Sequence, residues 1–331
     1  MISLETFRTK FWSSRNNSIG ARLKQVILTI FVILGCNLKI HAQSDSVRIV
    51  QHLTTITKTE GFRNYRNIPL LNQTAEYIFS VFSQYADTVY YQAFQARGET
   101  YMNVVCRFET ANDKPLVIVG AHYDVHGNTE GADDNASGVV GLLELVRILS
   151  TEKLNYPIEI VAYANEEQPF FLTNNMGSYV HAKSLHDAGI LVYGMATFEM
   201  IGYFDDRKNS QSYPIKFLKV FFGSKGNFIL LTGKTGNGKF ARKFSKSYKK
   251  SASIRTINFR VPPFIVNKTG VHRSDHWSYW QFDYSAIMIT NTAFLRNPNY
   301  HRRTDTMETL DIPRMMKVID ATTLAIINLK L

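Results

Sequence analysis

Glu166 and Glu167 stand side by side at the end of an apolar run, IEIVAYA at 158–164. Adjacent side chains leave the backbone in different directions, so two neighbouring acids at a strand end can take two tasks: one holds a cation and the other moves protons. Acidic doublets are usually solvated, but the flanking AYA at 162–164 and PFF at 169–171 are apolar. Poorly hydrated like charges raise the pKa of one member or recruit a metal. His122 follows the apolar run 116–120, with Asp124 two residues on. A ligating imidazole needs its second nitrogen held, and a carboxylate is a common partner. A histidine after a strand is structural when it stands alone, but here Asp133, Asp134 and Asn135 follow between Gly131 and Gly138, just before an apolar helical stretch. A helix cap needs one such residue, and a second buried acid calls for a cation. Glu199 interrupts the apolar string MATFEMI at 195–201, and His301 is followed by Asp305. Two imidazoles with several carboxylates and no thiolate suit Zn²⁺ and disfavour a closed structural site. The set is large enough for two ions sharing a carboxylate, an arrangement that handles both a nucleophilic water and a substrate carbonyl.

These residues need strand ends to bring them together. Strands are expected near 88–96, 100–109, 116–120, 158–164, 193–202, 227–231, 255–261 and 285–290. Helices are expected near 45–57, 72–85, 137–150, 177–188, 239–250 and 312–329, the third with Gly138 and Gly141 where it must approach a sheet. Strands alternating with helices predict an α/β fold: one domain over 44–331, a three-layer α/β/α sandwich around a mixed, mostly parallel sheet. Ligands of such sheets sit at the carboxyl edge of the strands, where the acids and histidines fall.

The chain has 331 residues, 45% hydrophobic and 20% charged, enough for one well-developed core. Residues 1–43 differ from the rest: Arg22 and Lys24 precede the apolar run 26–35, and Ile40, His41 and Ala42 offer a cleavage site before Gln43. This reads as an export signal with a long basic lead. The alternative is lipoprotein processing at Cys36, which would attach the chain to a membrane surface. Either way the working protein is expected outside the cytoplasm: periplasmic, in the cell envelope or secreted. Cys36 and Cys106 are the only cysteines, so an internal disulfide is not expected once Cys36 is removed or lipidated, and Cys106 reads as a buried strand residue.

The net charge of +11 is concentrated between Arg207 and Arg273, where sixteen Lys or Arg occur without an acid. Such a stretch can attract an anionic surface, but no aromatic-rich basic motif accompanies it, so it reads as a solvated face and nucleic acid is not an expected partner. GKTGNGK at 233–239 has the spacing of a phosphate loop, yet Phe240 stands where a Ser or Thr must meet Mg²⁺. It reads as a Gly-rich turn, and no nucleotide is expected.

Taken as an ordered set, GAHYD, GADDNASG, NEEQPFF followed by MGS, FEMIG, SDHW and YHRRTDT resemble the metal-binding series of the M28 family of zinc peptidases, over about 116–310. These are dizinc aminopeptidases, with glutaminyl cyclases as relatives. The resemblance implies two Zn²⁺ per chain, with Asp134 bridging both, Glu167 and His301 completing one site, and His122 and Glu199 the other. It makes Glu166 the general base that takes a proton from the attacking water and returns it to the leaving amine. Asp124 resembles the acid that orients the histidine, Asp305 is a further supporting acid, and a cis peptide is implied at Asp134–Asn135. Glu199 replaces the Asp of the best-known members, but its longer arm still reaches. The aromatic hydroxyl that some members aim at the tetrahedral intermediate falls near Val271, which cannot serve; His272 or Arg273 is the candidate substitute. Arg302 and Arg303 add positive charge at the rim, suited to a substrate carboxylate or simply solvated.

The resemblance therefore implies an exported aminopeptidase acting on peptides. Other outcomes are a glutaminyl cyclase using one zinc, a carboxypeptidase or other amide hydrolase, and a non-catalytic binding module. Phe170, Phe171, Trp277 and Trp280 are the aromatics available for a side-chain pocket or for the core.

Overall fold

The computed structural model describes residues 43–111 and 113–331. The leader and Cys36 lie outside the described residues. Eight strands form one sheet: β1 (Thr88–Ala96), β2 (Glu99–Phe108), β3 (Leu116–His122), β4 (Ile158–Tyr163), β5 (Val192–Glu199), β6 (Ile229–Lys234), β7 (Thr256–Val261) and β8 (Ala286–Thr290). Their order is β1-β2-β4-β3-β5-β8-β6-β7. The four central strands, β4, β3, β5 and β8, run parallel to one another. β2 and β6 flank them antiparallel.

Parallel strands covered on both faces must be apolar throughout, and β3 (LVIVGAH) and β4 (IEIVAY) are buried at every position. Alternate side chains feed two layers. Val117, Val119 and Ala121 enter the larger core, and Leu116 and Ile118 the smaller one on the other face. The larger core is built with α1 (Ser46–Thr57), α2 (Ile68–Phe82), α3 (Gly138–Leu149), α6 (Phe240–Ser251) and α9 (Ile312–Ile327). Four shorter segments complete the described helices: α4 (Gly177–Asp187), α5 (Leu218–Phe222), α7 (Val266–Thr269) and α8 (His276–Trp280). Of these, α4, α7 and α8 supply the smaller core.

Several boundaries differ from the sequence reading, and three have a local cause. α2 starts at Ile68, before the expected 72, because the Asn67 side chain caps Leu70 N–H and Pro69 is tolerated in a first turn. β3 continues to His122 because Ala121 and His122 still pair with Ala162 and Tyr163. β5 stops at Glu199, where its partner β8 ends. The last two place a histidine and an acid on strand ends.

Phe240, at the hydroxyl position of the apparent phosphate loop, is fully buried, and its ring occupies the space above Gly194, where a Cβ would lie 2.2 Å away. α6 turns Phe240, Phe244 and Tyr248 inward and leaves Arg242, Lys243, Lys246, Lys249 and Lys250 exposed.

Candidate active site

β3 is where the chain changes direction across the sheet: β4 lies on one side of it and β5 on the other. At such a switch point the two connections part and leave a crevice beyond the carboxyl ends. His122 ends β3, Glu166 and Glu167 follow β4 by a few residues, and Glu199 ends β5. Asp134 comes from the connection between β3 and α3, and His301 from the segment after β8. Three non-glycine residues at these ends, Asn165 (φ 63), Met200 (φ 54) and His301 (φ 57), adopt left-handed backbone, a conformation that clusters at functional sites.

The connection carrying Asp134 is held from several sides. Asp305 accepts the Asp133 and Asp134 N–H groups on its two oxygens, at 2.9 and 3.0 Å. Asp133 itself points away from the crevice: one oxygen takes the N–H groups of Gly202 and Tyr203, the other the amides of Asn291 and Asn297. Of the adjacent acids, Asp133 is therefore the anchor and Asp134 faces the crevice. The Asp134–Asn135 peptide is cis. Gly138 is required beside it, since a Cβ there would lie 2.5 Å from the Asn135 side-chain oxygen.

Asp134 sits between the two imidazoles, offering Oδ1 to His122 Nε2 at 3.5 Å and Oδ2 to His301 Nε2 at 3.2 Å. Glu199 Oε2 is 3.5 Å from His122 Nε2 and receives the Ser274 hydroxyl at 2.7 Å. Glu167 Oε1 is 3.1 Å from His301 Nε2. Glu166 Oε2 stands off, 3.9 Å from His122 Nε2. Asp124 faces His122 Nδ1 with its backbone carbonyl at 3.2 Å and its carboxylate at 3.4 Å, and the carboxylate accepts the N–H groups of both Glu166 and Glu167. One carboxylate thus orients the histidine and fixes the glutamate pair.

The electrostatics show what this set lacks. Burial would lower His122, but Glu166, Asp124, Asp134 and Glu199 outweigh it and hold the imidazole well above its usual range. His301 rises to about 10, with Asp134 and Glu167 overcoming burial. Asp134, which burial alone would raise, is drawn well below the usual carboxylate range by the two histidines. Glu166 is pushed well up by burial, against the pull of His122, with Glu199 and Glu167 adding to the rise. Negative charge is in excess, and buried His122 Nε2 and Asp134 Oδ2 have no hydrogen-bond partner among the described residues. Cations between Asp134 and the two histidines would satisfy both conditions. His122, Asp134 and Glu199 form one group of ligand atoms lying within 4.8 Å of one another, and Glu167 with His301 faces Asp134 from the other side.

The family model described as "Peptidase family M28" matches residues 103–326. The chain belongs to the M28 peptidase family. It is 40% identical over 283 residues to the "Uncharacterized protein YfbL" of Escherichia coli K12, covering 83% of this chain and 85% of that one. It is 31% identical over 217 residues to a "Probable leucine aminopeptidase 1" of Trichophyton verrucosum, covering 61% of this chain and 51% of that one, so it spans about half of this fungal relative. The solved LapA aminopeptidase of Legionella pneumophila shares the fold, with a TM-score of 0.66 at 22% identity over 86% of this chain and 72% of that one. Bacterial glutaminyl cyclases share it too.

Several site residues were not singled out by the sequence reading. Arg63 is buried, and its guanidinium donates to the carbonyls of Tyr123, Glu130 and Gly131, clasping both ends of the connection after β3. Tyr300 stacks on His301 at 3.7 Å and lines a cavity together with Glu199, Thr232, Val271, Arg273 and Phe294. His126 stacks on His301 and faces Glu167. Of the two substitutes for a missing aromatic hydroxyl, His272 turns its Nδ1 to the Val266 carbonyl at 3.4 Å. Arg273 lines the cavity, its guanidinium over the rings of Phe171 and Phe294. Phe170, Tyr279 and Trp280 are core residues.

Proposed function

We propose that this M28 peptidase is an exported zinc aminopeptidase that holds two ions and removes N-terminal residues from peptides. The observation that carries the reading is the position of Asp134, one oxygen toward each histidine, with Glu166 beside them but not between them. His122 and Glu199 would hold one ion, Glu167 and His301 the other, and Asp134 both. Bound zinc supplies Lewis acidity, polarising the scissile carbonyl and lowering the pKa of water. Glu166 takes the proton of the attacking water as its oxygen bonds to the carbonyl carbon, and delivers it to the amine nitrogen as the C–N bond breaks. Asp124 keeps His122 and the glutamate backbone in register for this transfer.

The negative charge that develops on the carbonyl oxygen needs a donor. Tyr300 supports that role better than His272: it borders the same cavity as Glu199, and its hydroxyl is held protonated by burial and by Asp134, Glu167, Glu166 and Glu199. Tyr300→Phe should lower kcat by about tenfold to a hundredfold with zinc content unchanged, somewhat less than the loss of a backbone-quality oxyanion donor. An unchanged kcat removes Tyr300 from the reaction.

The leader motivates the export part: Arg22 and Lys24 ahead of the apolar 26–35. The test uses protein recovered from the envelope or medium, its first residue read by N-terminal sequencing. It should hydrolyse aminoacyl-arylamides and dipeptides, spare N-acetylated ones, and stop with a chelator. Cyclisation of an N-terminal Gln peptide in place of hydrolysis would reassign it to the cyclase chemistry of its structural neighbours; activity indifferent to chelation would end the zinc reading.

A further inference from the structure

His126 lies four residues beyond His122, in the connection after β3, and no step of the reaction above uses it. Its ring lies flat against His301, with centroids 3.8 Å apart and planes at 1°. Its Nδ1 is 3.4 Å from Glu167 Oε2, the oxygen opposite the one that faces His301. That nitrogen is buried although the side chain as a whole is 38% exposed, and among the described residues the group it faces is Glu167 Oε2, at ion-pair rather than tight hydrogen-bond distance. His126, Glu167 and His301 thus bring three ligand atoms within 4.8 Å of one another.

Coordination of the ion held by His301 is the obvious role, and the ring geometry argues against it. An imidazole binds zinc through a lone pair in its own plane, at about 2.0–2.1 Å. Two parallel stacked rings keep those lone pairs in separate planes, so an ion in the plane of one is well out of the plane of the other. We infer that His126 is a positioning residue of the metal site formed by Glu167 and His301. It donates its Nδ1 proton to Glu167 Oε2, which leaves Oε1 as the ligating oxygen, and it backs the His301 ring from the solvent side. Glu167 is then fixed at both ends, its N–H by Asp124 and its outer oxygen by His126. This rests on the two-ion reading above and adds an asymmetry to it: the two sites are supported by different groups, Ser274 at Glu199 and His126 at Glu167.

The test is zinc titration of the whole mature chain against a chromophoric chelator, which resolves two affinities. Outer partners of metal ligands are worth about 10–100-fold in affinity. His126→Ala should weaken one of the two ions by that factor and leave the other unchanged, and His126→Asn, which keeps a donor near Nδ1, should recover most of the loss. The thermal midpoint of the chelated chain should move only slightly, because the side chain is 38% exposed and belongs to no apolar core. Cobalt substitution adds a readout, since loss of a true ligand changes the visible absorption intensity whereas loss of a positioning contact leaves the coordination number. Two unchanged affinities, two equally weakened ones, or a lost ligand band each overturn the assignment. A wild-type chain that takes up no zinc overturns the peptidase reading itself, whereas two tight ions in both wild type and His126→Ala overturn only the role of His126.

Discussion

Replacing Glu166 by Gln should lower kcat by a factor on the order of 10² or more, the size expected when a general base is lost, with zinc content and fold retained. The separation of effects follows from how the residue is held. Its backbone N–H is bound by Asp124, at 3.1 Å, and does not depend on the side chain. Its carboxylate is the most remote of the four acids around His122, at 3.9 Å from Nε2, against 3.4 Å for Asp124 at Nδ1 and 3.5 Å for Asp134 and Glu199 at Nε2. Gln fills the same volume and removes one buried negative charge from a group that already carries too many. The structural consequence should therefore be neutral or favourable, and the whole effect should appear in the proton transfer. His122→Ala is the contrasting change, since it removes a group facing both Asp134 and Glu199 and should lower metal occupancy. Steady-state kinetics with zinc analysis on the same preparation separates the two cases. A Glu166→Gln enzyme with normal kcat, or one that has lost its zinc, rules out the assigned role.

His122, Glu166, Glu167 and Glu199 were legible because each is a polar side chain at or just after an apolar strand end, where burial without a partner is costly; Asp134 and His301 lie in connections and were read from the ordered set of motifs. The pattern identified the eight strands, the three layers and the carboxyl-edge crevice from the same hydrophobic periodicity. Periodicity alone does not divide labour between Asp133 and Asp134; the resemblance did, by making Asp134 the bridge, and the hydrogen bonds from Gly202, Tyr203, Asn291 and Asn297 give Asp133 the anchoring role. Arg63 was illegible for a related reason. It acts on backbone carbonyls about sixty residues away, and a carbonyl has no residue type to recognise. His126 lies between the GAHYD and GADDNASG motifs, inside neither; a four-residue spacing from His122 means one face only on a helix, and this segment is a loop. Tyr300 adjoins His301, but a neighbour in sequence need not share a cavity; its stacking on that ring puts it there.

Removing zinc should change how the fold responds to pH, and the sign follows from the two histidines. In the chelated chain His301 is raised to about 10 and His122 is also raised well above its ordinary value. Each is a folded-state pKa above the unfolded value near 6.5. Their stabilising contribution is fully present below about pH 6.5 and is lost as pH climbs through the folded values. Asp134 and Glu167 are depressed, so their contribution is present above the ordinary carboxylate range and is lost only as pH falls through their folded values. Between pH 6.5 and 10 the chelated chain should thus lose stability as protons leave the imidazoles and bare carboxylates face one another. Zinc needs the same imidazoles neutral, so its uptake near pH 7 expels their protons. With one proton released per ion, each affinity rises about tenfold per pH unit, and the overall constant for the pair about a hundredfold. The gap in Tm between zinc-loaded and chelated protein should therefore widen steadily from pH 6 to 9, and activity should disappear with the metal at every pH. Scanning calorimetry with and without chelator gives the gap, and titration calorimetry in buffers of different ionisation enthalpy counts the protons. A constant gap, or uptake without proton release, would mean that His122 and His301 are not the groups zinc displaces protons from, and the charge argument for a metal between them would fail.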